Sequence, residues 1–205
     1  MLNVALTGNI ASGKSTVAAV WRARGAYIID SDELSRLVVA PGGEALPRIA
    51  ERWGSGVILP SGELNRTALR DIVFRDPEER AWLESLLHPL IGRIREEMVA
   101  AAAEAGREVV VSDVPLLFET GLEKGFDLVV LVDAPEAVRR ERLITLRGVA
   151  PAQADRMIAA QLPSRIKRDR ADLIINNHGS LPELEEQAAR IWTTIELRSE
   201  VEARG

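Results

Sequence analysis

The stretch Gly8-Asn9-Ile10-Ala11-Ser12-Gly13-Lys14-Ser15, extended by Thr16, follows a short apolar run and opens an apolar helical pattern. It satisfies G-x-x-x-x-G-K-[ST] in the strand, turn, helix setting that gives this pattern its meaning. Glycine at both ends lets the backbone curl so that successive N–H groups point inward. The start of the helix adds partial positive charge to the same hollow. Such a hollow suits the phosphates of ATP. Lys14 can reach the β and γ phosphates, and the Ser15 hydroxyl can ligate a Mg²⁺ ion that bridges the same oxygens. Only three of the 26 Lys and Arg side chains are lysine, at 14, 124 and 167, so lysine here stands out against an arginine background.

Outward from this loop, Asn3 to Thr7 reads as a short buried strand, and the following helix stops before Gly25. Ala26 to Asp30 reads as a second strand, after which Ser31 or Asp32 can cap a helix running to Pro41-Gly42. From Gly43 to about Ala105 the pattern is mostly helical, with breaks at Trp53 to Gly62, Asp76-Pro77 and His88-Pro89. Arg107 to Asp113 and Phe126 to Asp133 are continuous β-branched runs, as expected of parallel strands covered on both faces. An arginine-rich helical stretch from Glu136 to Arg170, a last strand at Leu173 to Asn176 and a helix from Pro182 complete the chain. Five short strands alternating with helices predict an α/β fold with a parallel, doubly wound sheet, whose ligands gather beyond the carboxyl ends of the strands.

The 205 residues suffice for one core with an inserted subdomain. No cysteine is present, which excludes disulfides, thiolate zinc sites and a catalytic thiol. A net charge of -5 argues against a nonspecific nucleic-acid binder. No apolar run approaches the roughly 20 residues of a membrane helix, and the expected location is the cytoplasm.

Asp30 and Asp32 end the second strand, where a carboxylate can take the proton of an acceptor hydroxyl; capping the next helix is the competing use for Asp32. Arg139, Arg140, Arg142 and Arg147 lie on one predicted helix, followed by Arg156, Arg165, Lys167, Arg168 and Arg170. Most such runs are solvated faces, yet a kinase needs guanidinium forks near the moving phosphoryl group. Val109 to Asp113 can be a strand whose terminal carboxylate assists Mg²⁺, or a buried strand ending in a polar turn.

Several segments together resemble the dephospho-coenzyme A kinase family: Gly8 to Thr16, Ile29-Asp30-Ser31-Asp32, Gly62-Glu63-Leu64-Asn65-Arg66, Leu87-His88-Pro89, Asp113-Val114-Pro115-Leu116-Leu117-Phe118-Glu119, and Ala171-Asp172 to Asn177. The resemblance spans nearly the whole chain. It implies a P-loop NTPase fold, in which a five-stranded core of residues 1–30, 107–134 and 171–205 carries a helical acceptor-binding insertion, about 31–106, and a lid, about 135–170. It also implies transfer of the ATP γ-phosphoryl group to the ribose 3′-hydroxyl of dephospho-CoA, the last step of coenzyme A synthesis, with no obligate protein partner evident. By the same resemblance Asp32 is the favoured general base, with Asp30 as fallback. Arg142 is the lid arginine that contacts phosphate, with Arg140 and Arg147 as second choices, and Asn177 lies beside the adenine. Arg66, His88, Leu116 and Glu119 fall on the acceptor side, although His88 serves equally as a helix cap, and core packing competes for Leu116, Leu117 and Phe118.

Two departures concern the loop. Ala11 and Asn9 stand where the family usually has glycine, and a methyl at position 11 is expected to require a negative φ. Another small-molecule kinase of the same fold, or an ATP-binding switch without acceptor turnover, are the alternative readings.

Overall fold

A computed structural model describes residues 1–204, with side chains through Val201. The chain divides into two compact units: Met1–Ile29 with the chain from Ala101 onward, and Asp30–Ala100.

The first unit is built on five strands, β1 (Leu2–Gly8), β2 (Tyr27–Asp30), β3 (Val109–Asp113), β4 (Leu128–Asp133) and β5 (Leu173–Asn176), in the order β2-β3-β1-β4-β5. β1 runs parallel to β3 and to β4, and β4 runs parallel to β5. The apolar runs form central strands because both faces are covered. Leu2, Val4 and Leu6 of β1 pack on Val17, Ala18 and Trp21 of α1 (Lys14–Ala23), while Ala5 points the other way, among Leu117, Phe118, Val129 and Leu131. The α1 layer is completed by Trp192 of the last helix, 5.6 Å from Trp21 between ring centroids, and the Trp21 indole donates to the Ala188 carbonyl at 2.8 Å. Because β1 lies between β3 and β4, the loop leaving its carboxyl end sits at the topological switch of the sheet, the usual ligand crevice of such folds.

In the second unit, α2 (Ser31–Val38), α3 (Ala45–Trp53), α4 (Arg66–Arg75) and most of α5 (Pro77–Glu104) surround a core of Val38, Ala45, Leu46, Ile49, Val57, Leu64, Leu69 and Leu86. Two local expectations are corrected here. The cap of α2 is Asp30, whose Oδ1 accepts from the amides of Asp32 at 2.8 Å and Glu33 at 3.3 Å, so neither Ser31 nor Asp32 fills that role. The His88-Pro89 step does not break the chain: α5 continues through Pro89. An interior proline costs about 3 kcal/mol, but Trp82, Leu83, Leu86, Leu87, Leu90, Ile91 and Ile94 keep one side of α5 on the core across the step, and that burial outweighs the lost hydrogen bond.

Helices α6 (Glu136–Arg147), α7 (Pro151–Ala159) and α8 (Ser164–Arg168) belong to the first unit, as does the terminal α9 (Leu181–Arg204). Leu143, Ala154 and Ile158 form a small core against which Ile10 and Ala11 of the glycine-rich loop pack. Among the described residues, no helix is long and apolar enough to cross a membrane.

Candidate active site

The glycines at both ends of the loop are required by close approach. A Cβ on Gly8 would lie 2.5 Å from Ser12 Oγ and 2.6 Å from the Val132 carbonyl oxygen. Gly13 has φ 95°, and a Cβ there would lie 2.2 Å from Asn177 Nδ2. The loop tightens through Ser12 N–H donating to Asn9 O, and α1 begins with Thr16 N–H donating to Gly13 O, both at 3.0 Å. Among the described residues, no protein acceptor takes the amides of Ala11, Gly13, Lys14 or Ser15. Four N–H groups spread over the loop and the first residues of α1 are thus left open, as helix N-termini that receive anions leave theirs. Ala11 departs from its expected backbone: its φ is 58°, the left-handed region, in a residue with a methyl group. That conformation costs an L-residue about 1–2 kcal/mol, and packing against the α6–α7 core helps to hold it.

Lys14 is ion-paired with Asp113 at the end of β3, and both side chains are largely buried. Its ammonium is thus held in place by a carboxylate. Ser15 is exposed in the first turn of α1. Among the described residues, no group of three or more His, Asp or Glu side chains gathers to hold a metal ion. A lone hydroxyl such as that of Ser15 fits Mg²⁺, which keeps water and phosphate oxygens as most of its ligands.

The candidate arginines separate clearly. Arg142 Nη1 donates to the Ala11 carbonyl at 3.2 Å, and its Nη2 donates to Asn177 Oδ1 at 3.0 Å, which brings the guanidinium to the loop. Arg140 instead forms a two-pronged pair with Asp155, at 2.6 and 3.2 Å, holding the Asp155 carboxyl below the usual range. Arg147 is exposed at the end of α6. Arg139 is buried, with Nε donating to the Ala134 carbonyl at 3.1 Å, and burial lowers its pKa. Asn177 completes the brace: its Nδ2 donates to the Ser12 carbonyl at 2.7 Å while its Oδ1 takes Arg142. Its side-chain amide is therefore committed to the loop and to Arg142.

Of the residues expected on the acceptor side, Asp32 is exposed, and its carboxylate has no hydrogen-bond or ion-pair partner among the described residues. Asp30 has taken the capping duty. Arg66 is exposed at the first position of α4, next to the cap Asn65. His88 is exposed within α5, so it is not a helix cap. Leu116 is 43% exposed, whereas Leu117 and Phe118 are buried in the core. Glu119, expected as an acceptor-side carboxylate, has its Oε1 2.7 Å from Lys167 Nζ and accepting from the Leu162 amide at 3.0 Å. Lys167 is fully buried. Burial pushes its ammonium below the usual lysine range, and Glu119 partly restores it.

Sequence reasoning missed the residues that grip the loop from the α7–α8 link. The Ile10 amide donates to Gln161 Oε1 at 2.7 Å. Asn9 Nδ2 donates to Ser164 Oγ at 3.1 Å, and that hydroxyl donates to Asp133 Oδ1 at 2.7 Å. The two contacts to the loop itself join residues 151 and 155 positions apart, and no local periodicity announces them.

A family model described as dephospho-CoA kinase matches residues 2–183. A dephospho-CoA kinase of Anaeromyxobacter dehalogenans is 45% identical over 92% of this chain and 89% of its own length. One from Streptomyces avermitilis is 42% identical over 97% and 96%. A solved Thermus thermophilus structure superposes with TM-score 0.80 at 34% identity, covering 94% of this chain and 96% of that one. Dephospho-CoA kinase from Campylobacter jejuni shares the fold, with TM-score 0.74 at 22% identity and coverages of 94% and 96%. With a glycine-rich loop of open amides at the sheet's switch point and family similarity along almost its whole length, the chain belongs to the dephospho-CoA kinase family.

Proposed function

We propose that this chain phosphorylates the ribose 3′-hydroxyl of dephospho-CoA with the γ-phosphoryl group of ATP, giving coenzyme A and ADP. The observation that carries the donor half is the set of four amides with no protein acceptor beside Lys14. The acceptor is argued from family membership.

In this reading the amides of Ala11, Gly13, Lys14 and Ser15 bind the phosphates of ATP, within a loop formed by Gly8 to Thr16. Lys14 exchanges Asp113 for phosphate oxygens, so its charge enters the site already oriented. Arg142 supplies a second cation from the lid side, and the brace through Asn177 and Ala11 keeps it there rather than in solvent. Both cations offset charge on the phosphoryl group as it moves. Asp32 accepts the proton of the 3′-hydroxyl as that oxygen bonds to the γ-phosphorus, while the bond between the γ-phosphorus and the β–γ bridging oxygen breaks and ADP leaves. Its exposed carboxylate, with Asp30 doing the capping, supports that assignment. Mg²⁺, held by the Ser15 hydroxyl and phosphate oxygens, would supply further charge neutralisation. Arg66, His88, Leu116 and Glu119 are the side chains proposed for acceptor binding. The protein works in the cytoplasm on a small molecule; a net charge of -5 gives it no general attraction for nucleic acid.

A panel of acceptors with ATP and Mg²⁺, read as ADP release, tests the proposal. Turnover is expected with dephospho-CoA. Turnover with nucleosides but not dephospho-CoA would move the chain to another kinase activity, and nucleotide binding without acceptor-stimulated turnover would make it a switch.

A further inference from the structure

Ala11 holds a left-handed backbone without being glycine, so something outside the loop must keep it there. Four side chains from later in the chain reach the loop. Arg142 takes the Ala11 carbonyl, Asn177 the Ser12 carbonyl, Ser164 the side-chain amide of Asn9, and Gln161 the backbone amide of Ile10, immediately before Ala11. Gln161 is distinctive among them. Its contact is with a backbone donor, at 2.7 Å, in the residue whose ψ sets the entry to Ala11.

The backbone that presents Gln161 is itself anchored. The next amide, that of Leu162, donates to Glu119 Oε1, and the same oxygen is paired with the fully buried Lys167. The Gln161 amide donates to the Ile158 carbonyl at 3.2 Å, which closes the end of α7. Gln161 is thus half-buried on a fixed base, with its side-chain oxygen aimed at the phosphate loop.

We infer that Gln161 is a positioning residue for ATP binding, which holds Ile10 so that Ala11 keeps its left-handed conformation and the four open amides face the phosphates. It touches no phosphate in this arrangement; it acts through the loop. The inference rests on the donor-site reading above. Removing the acceptor frees Ala11 to return to the negative φ that its methyl group favours, which disperses those amides. Glycine at position 11 has no such preference, so the same removal matters less in that background.

The test is a double-mutant cycle on the full chain, with ADP and Mg²⁺ titrated calorimetrically and kcat measured at saturating ATP. Gln161→Ala is expected to weaken ADP binding about tenfold while kcat stays within about threefold. In the Ala11→Gly background the same change is expected to weaken binding less than threefold. Gln161→Met keeps the length of the side chain without its acceptor and carries the same expectation, should Gln161→Ala melt well below the parent. Equal losses in both backgrounds, or binding unchanged by Gln161→Ala and by Gln161→Met, would overturn the inference. If the parent protein itself failed to bind ADP, the donor-site reading would fall instead.

Discussion

Replacing Lys167 with methionine tests the joint between the lid helices and the segment after β3. Lys167 is fully buried, and its partner Glu119 is 17% exposed, at 2.7 Å. Methionine fills similar space but leaves the Glu119 carboxylate short of its cation, in a setting where it cannot turn fully to water. Breaking a buried pair from one side typically costs about 3–5 kcal/mol. Partial exposure of Glu119 puts the expected loss at the low end, about 3 kcal/mol. For a chain of this size that lowers Tm by roughly 6–12 °C. Adding Glu119→Gln removes the orphaned charge while keeping an oxygen for the Leu162 amide, so the double variant is expected within about 1.5 kcal/mol of the parent. Urea denaturation followed by tryptophan fluorescence reads all three proteins, with the midpoint compared at constant slope. The pH dependence has a defined sign. The folded Lys167 pKa lies below the usual 10.5 because of burial, so the unfolded chain binds this proton more tightly. The parent therefore gains stability relative to Lys167→Met as pH climbs from the folded value towards 10.5, and the contribution stays at its least favourable below the folded value. A single variant as stable as the parent, or a double variant no better than the single, would mean that the pair does not secure this joint.

Three further outcomes follow from the site. Asp32→Asn should leave ADP binding within about twofold while cutting kcat by about 10²–10⁴, the span of general-base contributions; an unchanged rate removes Asp32 from that role. Arg142→Ala should lower kcat by about 10³ or more, as for other phosphoryl-transfer arginines, whereas Arg140→Ala and Arg147→Ala should stay close to the parent; steady-state kinetics on the three variants would expose a wrong choice if Arg140 or Arg147 proved the sensitive one. Gly13→Ala places a Cβ 2.2 Å from Asn177 Nδ2 at φ 95°, and so should abolish measurable ADP binding by calorimetry; binding at the parent's affinity would mean that the Asn177 brace is dispensable.

Much of the fold was legible because burial on both faces leaves a simple mark. The runs at Arg107 to Asp113 and Phe126 to Asp133 became central strands that each start two residues later, at Val109 and Leu128, and Leu173 to Asn176 became β5 with the bounds read from sequence. The glycine-rich loop was legible because its spacing encodes the turn and the helix that follows. Legibility failed where one local signal competed with another. Proline after His88 signals a break, yet the apolar side of α5 carries the helix across it. Asp30, Ser31 and Asp32 are all capable caps, and only the backbone shows that Asp30 takes the amides. At Ala11 the methyl argued for negative φ, and a long-range grip by residues from α6 onward overrides it. The same holds for Gln161, Ser164 and the Glu119–Lys167 pair, whose partners lie in distant parts of the chain. Such contacts are products of the fold and leave no periodicity to read.

In the proposed reaction a phosphoryl group passes from ATP held at the glycine-rich loop to one particular hydroxyl. Incubating the purified protein with Mg²⁺, ATP labelled at the γ-phosphate and dephospho-CoA, then locating the label in the product, tests it most directly. Label on the ribose 3′-oxygen, lost in Lys14→Ala protein, is the predicted result; label that never leaves ATP, or that appears elsewhere on the acceptor, would contradict it.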